Sequence, residues 1–436
     1  MYQRRLKHKA VLLLCMMIFL GILITKGKLE ESGDGEEGER LVIPETEIPS
    51  DGPREVWQLP GEDADIRVLI LNDQGSMYHE DKELKKEYPG ELHYYEEEQG
   101  WVIINELPLE EYLCRVVPSE MPSAYAEEAL KAQAVCARTY AVWQMREYAY
   151  PEYEAHVDDS VSFQVYNHIE SQESTDKAVE ATRGQIMLYE DLPVKAYYFA
   201  TSCGSTTNEQ IWEEGDAART PYIAYRSVNT SDTSRDLTDE ETFSAYIKKK
   251  HAGDLEIGEP WYRWSCYVSL EQIRKNVEKW ADIRAEKSED GILMQDGEDY
   301  IKELQDIGEV KGAQIINRNA GGAVQELLIH GEDGCMKVKY EYNIRLMLGI
   351  PGGEIQKNDG TLGEGGSLLP SGYFVLEPVE EKGELAGYQV TGGGLGHGAG
   401  MSQNGARLLA EQGCGYEEIL QYFYKGIRLA RLGEKE

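Results

Sequence analysis

Residues 107–145, "LPLEEYLCRVVPSEMPSAYAEEALKAQAVCARTYAVWQM", decide the fold of this chain, because small and apolar residues recur in them at helical spacing. In the second half of the stretch, alanine or leucine stands at every third or fourth position, which predicts a helix that packs closely against its neighbours. Ser123 is placed to cap the N-terminus of that helix. Pro118 and Pro122 flank Glu120, so we expect its carboxylate to lie in a constrained turn between two helices.

Strand patterns surround these helices. Upstream, "IRVLILND" from Ile66 and "GWVIINE" from Gly100 have the apolar patterns of buried strands. Downstream, "VKGAQIINRNAGGAVQELLIHG" turns at residues 319–322, as a hairpin does, and leads into another strand and a short helix. Strands and helices mix without a regular βαβ order, which predicts an α+β fold. We expect one large domain over residues 66–430, with polar insertions near residues 230–310.

The composition excludes one broad class of function. The chain has 436 residues, of which 41% are hydrophobic, enough for a substantial core. Its 79 acidic and 44 basic residues give a formal net charge of -35. Nucleic-acid binding depends on basic side chains that neutralise phosphates, so we expect no nucleic-acid partner.

The N-terminus has the charge order of an export signal. Basic residues precede an apolar run that extends from Ala10 to Ile24 in "MYQRRLKHKAVLLLCMMIFLGILITKGK". We interpret residues 1–28 as an uncleaved signal anchor and residues 29–65, rich in Glu, Asp, Gly and Pro, as a flexible acidic linker. This organisation predicts a protein held in the cytoplasmic membrane by one N-terminal anchor, with the bulk of the chain outside the cytoplasm.

A single glutamate in a tight turn admits two interpretations. A carboxyl group held against apolar neighbours has a raised pKa and can protonate the leaving oxygen of a glycosidic bond. A second carboxylate is unnecessary if an internal hydroxyl of the sugar is the nucleophile, since no water has to be activated. Glu120 can equally be a surface charge that interacts with a helix dipole.

A glycine-rich segment, "GGGLGHGAGMSQNGA", begins at Gly392 and leads into a helix-like run near Met401. Without Cβ atoms, this loop lets backbone amides and His397 approach a sugar chain closely. The other interpretation is that the glycines allow tight packing against the helix that carries Glu120 and that His397 fills a hydrogen-bonding position. Ser402 and Gln403 are better placed to cap the following helix than to act as nucleophiles.

Three of these segments resemble the SpoIID/LytB family of bacterial cell-wall proteins. They are "LPLEEYLCRVVPSEMP", "EALKAQAVCARTYA" and "GHGAGMSQNGA", which occur in the same order as in the family. The resemblance implies a peptidoglycan-binding domain with a groove and, as in the sporulation protein, a lytic transglycosylase that cleaves the bond between N-acetylmuramic acid and N-acetylglucosamine in denuded glycan strands. It assigns the catalytic acid and base to Glu120, and basic residues of functional importance to Lys131 and Arg138.

Other segments also resemble the family. "SFQVY", residues 162–166, matches a polar S-x-Q-x-Y pattern, and "RGQIMLYEDLPVKAYYFATSCGSTTNEQIW" resembles the family's strand and polar turn. From the motifs and the resemblance together, the residues that we expect to contact substrate are Lys131, Arg138, Gln164, Tyr166, Ser202, His397, Ser402 and Gln403.

The resemblance leaves a second function open. Amidase enhancers share this domain, so the chain is alternatively a noncatalytic glycan-binding protein that stimulates an N-acetylmuramoyl-L-alanine amidase. The partners implied are peptidoglycan glycan strands, a cell-wall amidase and other membrane-anchored wall hydrolases. Engulfment during sporulation is the process that the first function would serve.

Zinc is the one cofactor that the resemblance raises. Some sporulation members are thought to hold it through a histidine and two cysteines, and the corresponding stretch here offers His156, Ser162 and His168 without a thiolate. Zinc prefers three or four nitrogen or sulfur ligands, so this set is incomplete. We therefore expect neither a metal site nor another cofactor.

Overall fold

The computed structural model describes residues 59–212, 220–230 and 235–433. The signal anchor expected over residues 1–28 lies outside the described residues, as does most of the acidic linker. Among the helices that are described, none combines the length and the apolar character that a membrane crossing requires.

Helices and strands alternate irregularly along the described chain. The α-helices are α1 (Leu109–Glu120), α2 (Glu127–Gln144), α3 (Glu173–Ala181), α4 (Glu240–Ile247), α5 (Leu270–Lys287), α6 (Glu341–Met347), α7 (Gln403–Glu411) and α8 (Tyr416–Phe423). The strands are β1 (Asp65–Ile70), β2 (Glu91–Glu97), β3 (Gly100–Pro108), β4 (Val157–Asp158), β5 (Gln185–Tyr189), β6 (Leu192–Pro193), β7 (Tyr198–Phe199), β8 (Trp264–Ser269), β9 (Ile292–Asp296), β10 (Asp299–Ile301), β11 (Val310–Arg318), β12 (Val324–Gly331), β13 (Cys335–Lys339), β14 (Glu354–Lys357), β15 (Leu362–Glu364), β16 (Phe374–Glu381), β17 (Glu384–Gly392), β18 (Met401–Ser402) and β19 (Arg428–Arg431).

Most strand pairs are antiparallel. One sheet has the order β2-β3-β1-β4, and two five-stranded sheets have the orders β10-β9-β13-β12-β11 and β15-β14-β8-β17-β16. Two smaller sheets are β19-β5-β6 and the parallel pair β18-β7. Mixed sheets with separate helices agree with the predicted α+β class.

Helix α2 lies between two hydrophobic cores, and this position explains its small residues. Ala134, Ala137 and Ala141 belong to the core that α1 shares with β1 and β3. Leu130 and Val135 belong to a second core that contains residues of α7 and α8. A helix buried on both sides cannot carry a polar stripe, and alanine lets its neighbours approach closely.

The turn between the first two helices lies further along the chain than expected. Helix α1 continues through Pro118 to Glu120, since the Met121 amide still donates to the carbonyl of Val117 at 2.9 Å. Glu120 therefore lies in the last turn of a helix and not in a loop. The prediction that Ser123 caps the next helix is wrong, because residues 122–125 form a turn and Ala126 occupies the cap position.

A third core lies between the two five-stranded sheets and helices α5 and α6. It includes Trp264, Ile273 and Ile292, which fall within residues 230–310, the region expected to hold polar insertions. The hairpin prediction is confirmed, since β11 and β12 pair antiparallel and the Gly322 amide donates to the carbonyl of Asn319 at 2.8 Å. The strand and short helix expected next are β13 and α6.

Candidate active site

Glu120 is partly buried at the C-terminal end of α1. Its Oε1 accepts a hydrogen bond from the backbone amide of Val165 at 2.7 Å. Its carbonyl oxygen accepts one from Nε2 of Gln403 at 3.0 Å. Two segments that are distant in sequence, the 160–166 stretch and the start of α7, therefore meet at this glutamate.

An amide and two tyrosines form a network beside the carboxyl group. Gln164 is 1% exposed, and its Nε2 donates to the hydroxyl of Tyr198 at 3.1 Å. Its Oε1 accepts from the hydroxyl of Tyr112 at 3.3 Å. The Tyr198 hydroxyl also hydrogen-bonds the side chain of Glu120. Because the Tyr198 oxygen accepts from Gln164, its own proton is available for Glu120.

The environment of Glu120 favours its neutral form. Burial raises the pKa of its carboxyl group from 4.5 to about 7, although the hydrogen bonds from Val165 and Tyr198 lower it in part. Within the described chain, no charged side chain is among the groups that shift this pKa. A carboxyl group with a pKa near neutrality can both give and take a proton at physiological pH.

The glycine-rich segment, residues 392–405, runs close to this glutamate. It contains β18, which pairs with β7 so that Met401 lies opposite Tyr198. Ser402 caps α7 as expected, since its Oγ accepts from the Gly405 amide at 3.2 Å. The next residue, Gln403, is the one that donates to Glu120. The structure therefore brings the C-terminal end of the segment against the acid.

The glycines themselves are required for packing. Gly394, Gly396, Gly398 and Gly400 all have positive φ, between 77° and 102°. A Cβ atom at Gly400 would lie 2.0 Å from the carbonyl oxygen of Tyr197. These contacts favour the tight-packing interpretation of the segment, with β7 and its flanking residues as the partner.

His397 is connected to Glu120 through Tyr198. It bonds to the backbone of Tyr198, whose side chain reaches Glu120. Its Nδ1 accepts from the Ala399 amide at 3.1 Å. Burial and the charge of Arg345 lower the pKa of His397 to about 3, so its ring is neutral at physiological pH.

Ser202 and Ser402 are joined through a buried carboxyl group that the sequence did not single out. Ser202 donates from Oγ to Oε1 of Glu256 at 2.6 Å, and Ser402 donates from Oγ to its Oε2 at 2.9 Å. All three residues are at most 1% exposed. Burial raises the pKa of Glu256 to about 8. This arrangement connects the residues after β7 to the start of α7.

Arg138 is fully buried and bound by protein groups. Its Nε and Nη2 donate to the two carboxylate oxygens of Glu110, both at 2.7 Å. Nη1 and Nη2 also donate to the carbonyls of Gln185 and Val179 at 3.2 and 3.1 Å. These contacts join α1, α2, α3 and β5, and they favour a structural role for the residue.

Lys131 and Tyr166 both have partners other than Glu120. Lys131 pairs with Glu127 at 2.7 Å and with Glu128 at 2.8 Å in the first turns of α2. Tyr166 is buried, and its hydroxyl donates to Asn105 at 2.6 Å. Of the expected site residues, the structure brings Gln164 and Gln403 closest to Glu120, through the bonds described above.

The stretch considered for zinc does not converge on one point. His156 is buried and its Nδ1 accepts from the Arg67 amide at 3.0 Å, whereas Ser162 and His168 are exposed. In the described parts of the chain, no three His, Cys, Asp or Glu side chains are grouped as a metal site requires.

Sequence reasoning missed Tyr198 and Glu256. Tyr198 lies within the strand and polar turn that resemble the family, but it has no motif that distinguishes it from a core aromatic residue. Glu256 lies in an acidic stretch where a surface charge is the ordinary expectation. Only the three-dimensional contacts identify these residues.

Comparisons with known proteins match two parts of the chain to family models. Residues 97–189 match the model of the SpoIID family, described as stage II sporulation protein, and residues 206–400 match a domain of unknown function, DUF8618. The first match contains Glu120, Gln164 and Arg138, and the second contains His397 and Glu256.

Curated relatives agree with the first match. The chain is 28% identical to the amidase enhancer of Bacillus subtilis over 72% of its own length, which spans only 39% of that relative. It is 28% identical to stage II sporulation protein D of Bacillus amyloliquefaciens, over 75% of each chain. Identity to the Bacillus subtilis protein of the same name is 27%, over 75% of this chain and 76% of the relative. Residues 97–189, with Glu120 and its neighbours, therefore match the SpoIID family, as the sequence motifs predicted.

Proposed function

We propose that this chain is a peptidoglycan lytic transglycosylase with Glu120 as its acid and base. The observation that carries the proposal is the environment of the Glu120 carboxyl group: partly buried, bonded by one amide and one tyrosine hydroxyl, and with a pKa near 7. A group in this state can protonate a leaving oxygen and then accept a proton within one reaction.

The reaction requires two proton transfers at the same carboxyl group. Protonated Glu120 gives its proton to the glycosidic oxygen as the bond to C1 of N-acetylmuramic acid breaks. The C6 hydroxyl of the same sugar then attacks C1 and returns its proton to Glu120, which leaves a 1,6-anhydro end. Both reacting oxygens belong to one bound strand, so positioning supplies much of the rate.

An internal nucleophile needs only one carboxyl group at the reacting bond. Hydrolytic glycosidases use a second carboxylate to activate water or to attack the sugar. Among the described residues, no carboxylate contributes to the pKa of Glu120. A single acid and base suffices when the C6 hydroxyl closes onto C1.

The other expected residues divide into two proposed roles. Gln164 and Gln403 position Glu120, through Tyr198 and through the helix carbonyl respectively. Arg138, Ser202 and Ser402 hold the elements around it, given the partners that bind them. We propose the groove for the glycan strand along the glycine-rich segment, with peptidoglycan outside the cytoplasmic membrane as the substrate.

A second candidate function is favoured by one comparison. The likeness to the amidase enhancer of Bacillus subtilis covers 72% of the chain. On this alternative, the domain binds glycan strands and stimulates a cell-wall amidase, and Glu120 is not used for chemistry. Both candidates place the chain at the cell wall, and they differ in whether glycan strands are cut.

The test is mass spectrometry of denuded glycan strands after incubation with the full-length protein. The variant Glu120→Gln keeps the shape of the side chain and removes proton transfer, so we expect it to lose cleavage by at least two orders of magnitude and to remain folded. Glu111→Gln, an exposed residue of the same helix, is the matched control and should cleave as the parent does.

The products decide between the candidates. Strands with 1,6-anhydromuramic ends, formed by the parent and the control and not by Glu120→Gln, support the transglycosylase. Undiminished cleavage by a folded Glu120→Gln variant rejects Glu120 as the acid. Binding of strands without cleavage by any of the three proteins supports the enhancer function.

A further inference from the structure

Four partly buried or buried rings form a continuous row beside the acid. Tyr140 packs against Tyr197 with ring centroids 5.9 Å apart, and Tyr197 packs against Trp212 at 4.7 Å. Trp212 meets His397 edge-on at 5.0 Å. We call Tyr140, Tyr197, Trp212 and His397 the aromatic row.

Tyr140 is the ring of the aromatic row that interacts with Glu120. Burial and, to a smaller extent, the charge of Glu120 raise the pKa of the Tyr140 hydroxyl. Trp212, which contacts Tyr197 and His397, keeps part of its surface exposed.

Trp212 is also one wall of a cleft of about 590 Å³. The remaining lining residues are Lys287, Ser288, Glu289, Asp290, Lys302 and Tyr340. These six residues lie between the end of α5 and the residue that follows β13. The cleft therefore joins Trp212 to this part of the chain.

The polar wall of the cleft is held in place. The Asp290 carboxylate accepts from the Nζ of Lys339 at 2.8 Å and from the hydroxyl of Tyr340 at 2.7 Å. Lys302 pairs with Glu289 at 2.9 Å. Two lysines and two acidic residues line the cleft, so its formal charges balance, whereas the whole chain has a net charge of -35.

We propose that Trp212 and Asp290 form a distal sugar subsite, at which a ring of the same glycan strand binds several residues away from the bond cut at Glu120. The inference rests on the proposed glycan substrate. One pyranose ring of the strand would pack against the indole of Trp212.

The chemistry of the cleft fits a sugar. The C–H groups on a pyranose face are weakly positive and pack against the electron-rich face of an indole. Sugar hydroxyls donate to a fixed carboxylate such as that of Asp290. A cleft with balanced charges also admits a glycan strand that the acidic surface elsewhere would repel if the strand carries carboxylates.

The experiment measures binding without cleavage. Full-length protein carrying Glu120→Gln is titrated by calorimetry with denuded glycan strands of three disaccharides, and separately with a single disaccharide. Adding Trp212→Leu, which keeps an apolar side chain, should weaken the three-disaccharide affinity about tenfold, the size of one ring contact. The single disaccharide should lose less than twofold. Trp101→Leu, a half-buried tryptophan of β3, is the control and should change neither affinity.

The outcomes separate this subsite from the proposed function. If the Glu120→Gln parent binds long strands and Trp212→Leu binds them equally well, the subsite is rejected and the proposed substrate stands. If the parent binds no strand, the proposed substrate fails as well. Should Trp212→Leu not fold, Asp290→Asn decides: a loss of long-strand affinity of at least threefold supports the subsite, and unchanged affinity rejects it.

Discussion

At the scale of single residues, the site depends on which groups bond Glu120 and which do not. Val165 and Tyr198 donate to its side chain, and burial works against both by favouring the neutral acid. The result is a pKa near 7, at which the group is divided between acid and base at physiological pH. Tyr198 therefore tunes the acid as well as positioning it.

Tyr198→Phe is predicted to move the pH dependence of cleavage toward higher pH. The hydroxyl lowers the pKa of Glu120 by bonding its ionised form, so its removal raises the pKa. Cleavage begins with the protonated acid and falls as pH rises through that pKa. The alkaline limb of the kcat/KM profile should therefore shift upward by several tenths of a pH unit or more, roughly the size of one lost hydrogen bond. The control Tyr189→Phe, in β5, should leave the alkaline limb where it is. An equal shift in Tyr189→Phe, or no shift in Tyr198→Phe, would contradict the role of the Tyr198 hydroxyl.

The ion pair between Arg138 and Glu110 is predicted to stabilise the fold only as a pair. Removing one partner leaves a buried charge, so Arg138→Ala should cost about 3–5 kcal/mol in urea unfolding. Replacing both partners, by Arg138→Met with Glu110→Leu, should recover most of that loss. If the double variant is stable but no longer binds glycan strands, Arg138 contacts substrate and the structural role is wrong.

At the scale of elements, the glycine-rich segment joins β17 to α7 through a backbone that few residues other than glycine can adopt. Its four positive φ values and its contacts with Tyr197 and Tyr373 fix the position of β18 against β7. That pairing places Gln403 at Glu120. The glycines of the segment therefore affect Glu120 indirectly, through the packing that positions Gln403.

Gly400→Ala is predicted to destabilise the protein more than Gly413→Ala. Both glycines have positive φ, 77° and 91°, so both substitutions carry a backbone penalty of about 1–2 kcal/mol. Only at Gly400 does the new Cβ meet another atom, the Tyr197 carbonyl, whereas nothing lies within 4 Å at Gly413. Thermal unfolding of the two variants measures the difference in stability that the clash causes. Equal losses of stability would show that close packing at Gly400 does not contribute to stability.

The elements also show what the sequence could predict. The helical spacing of alanines and the hairpin at Asn319 depend on local patterns, and both are confirmed. Glu120 was found through a motif, but its place in a helix was missed because Pro118 argued for a break. Tyr198 and Glu256 act through bonds to residues far along the chain, and no local pattern encodes those partners.

At the scale of the whole molecule, the site is assembled from four parts of the chain. The segment that matches the SpoIID family supplies Glu120 and Gln164, and β7 supplies Tyr198. The segment that matches DUF8618 supplies Trp212 and His397, and α7 supplies Gln403. Helix α2 packs between two of the hydrophobic cores and so ties these parts together. The segment that matches the SpoIID family contains Glu120 but lacks Tyr198 and Gln403, which bond it.

The bond between Gln403 and Glu120 also has a consequence for the order of synthesis. The two residues are 283 positions apart, so a ribosome makes the acid long before the side chain that bonds its carbonyl. A nascent chain, or one clipped before α7, carries Glu120 without that support and without the pairing of β18 with β7. Contacts of such long range form late in folding. Completion of the polypeptide through α7 is thus a condition for the full set of contacts around Glu120.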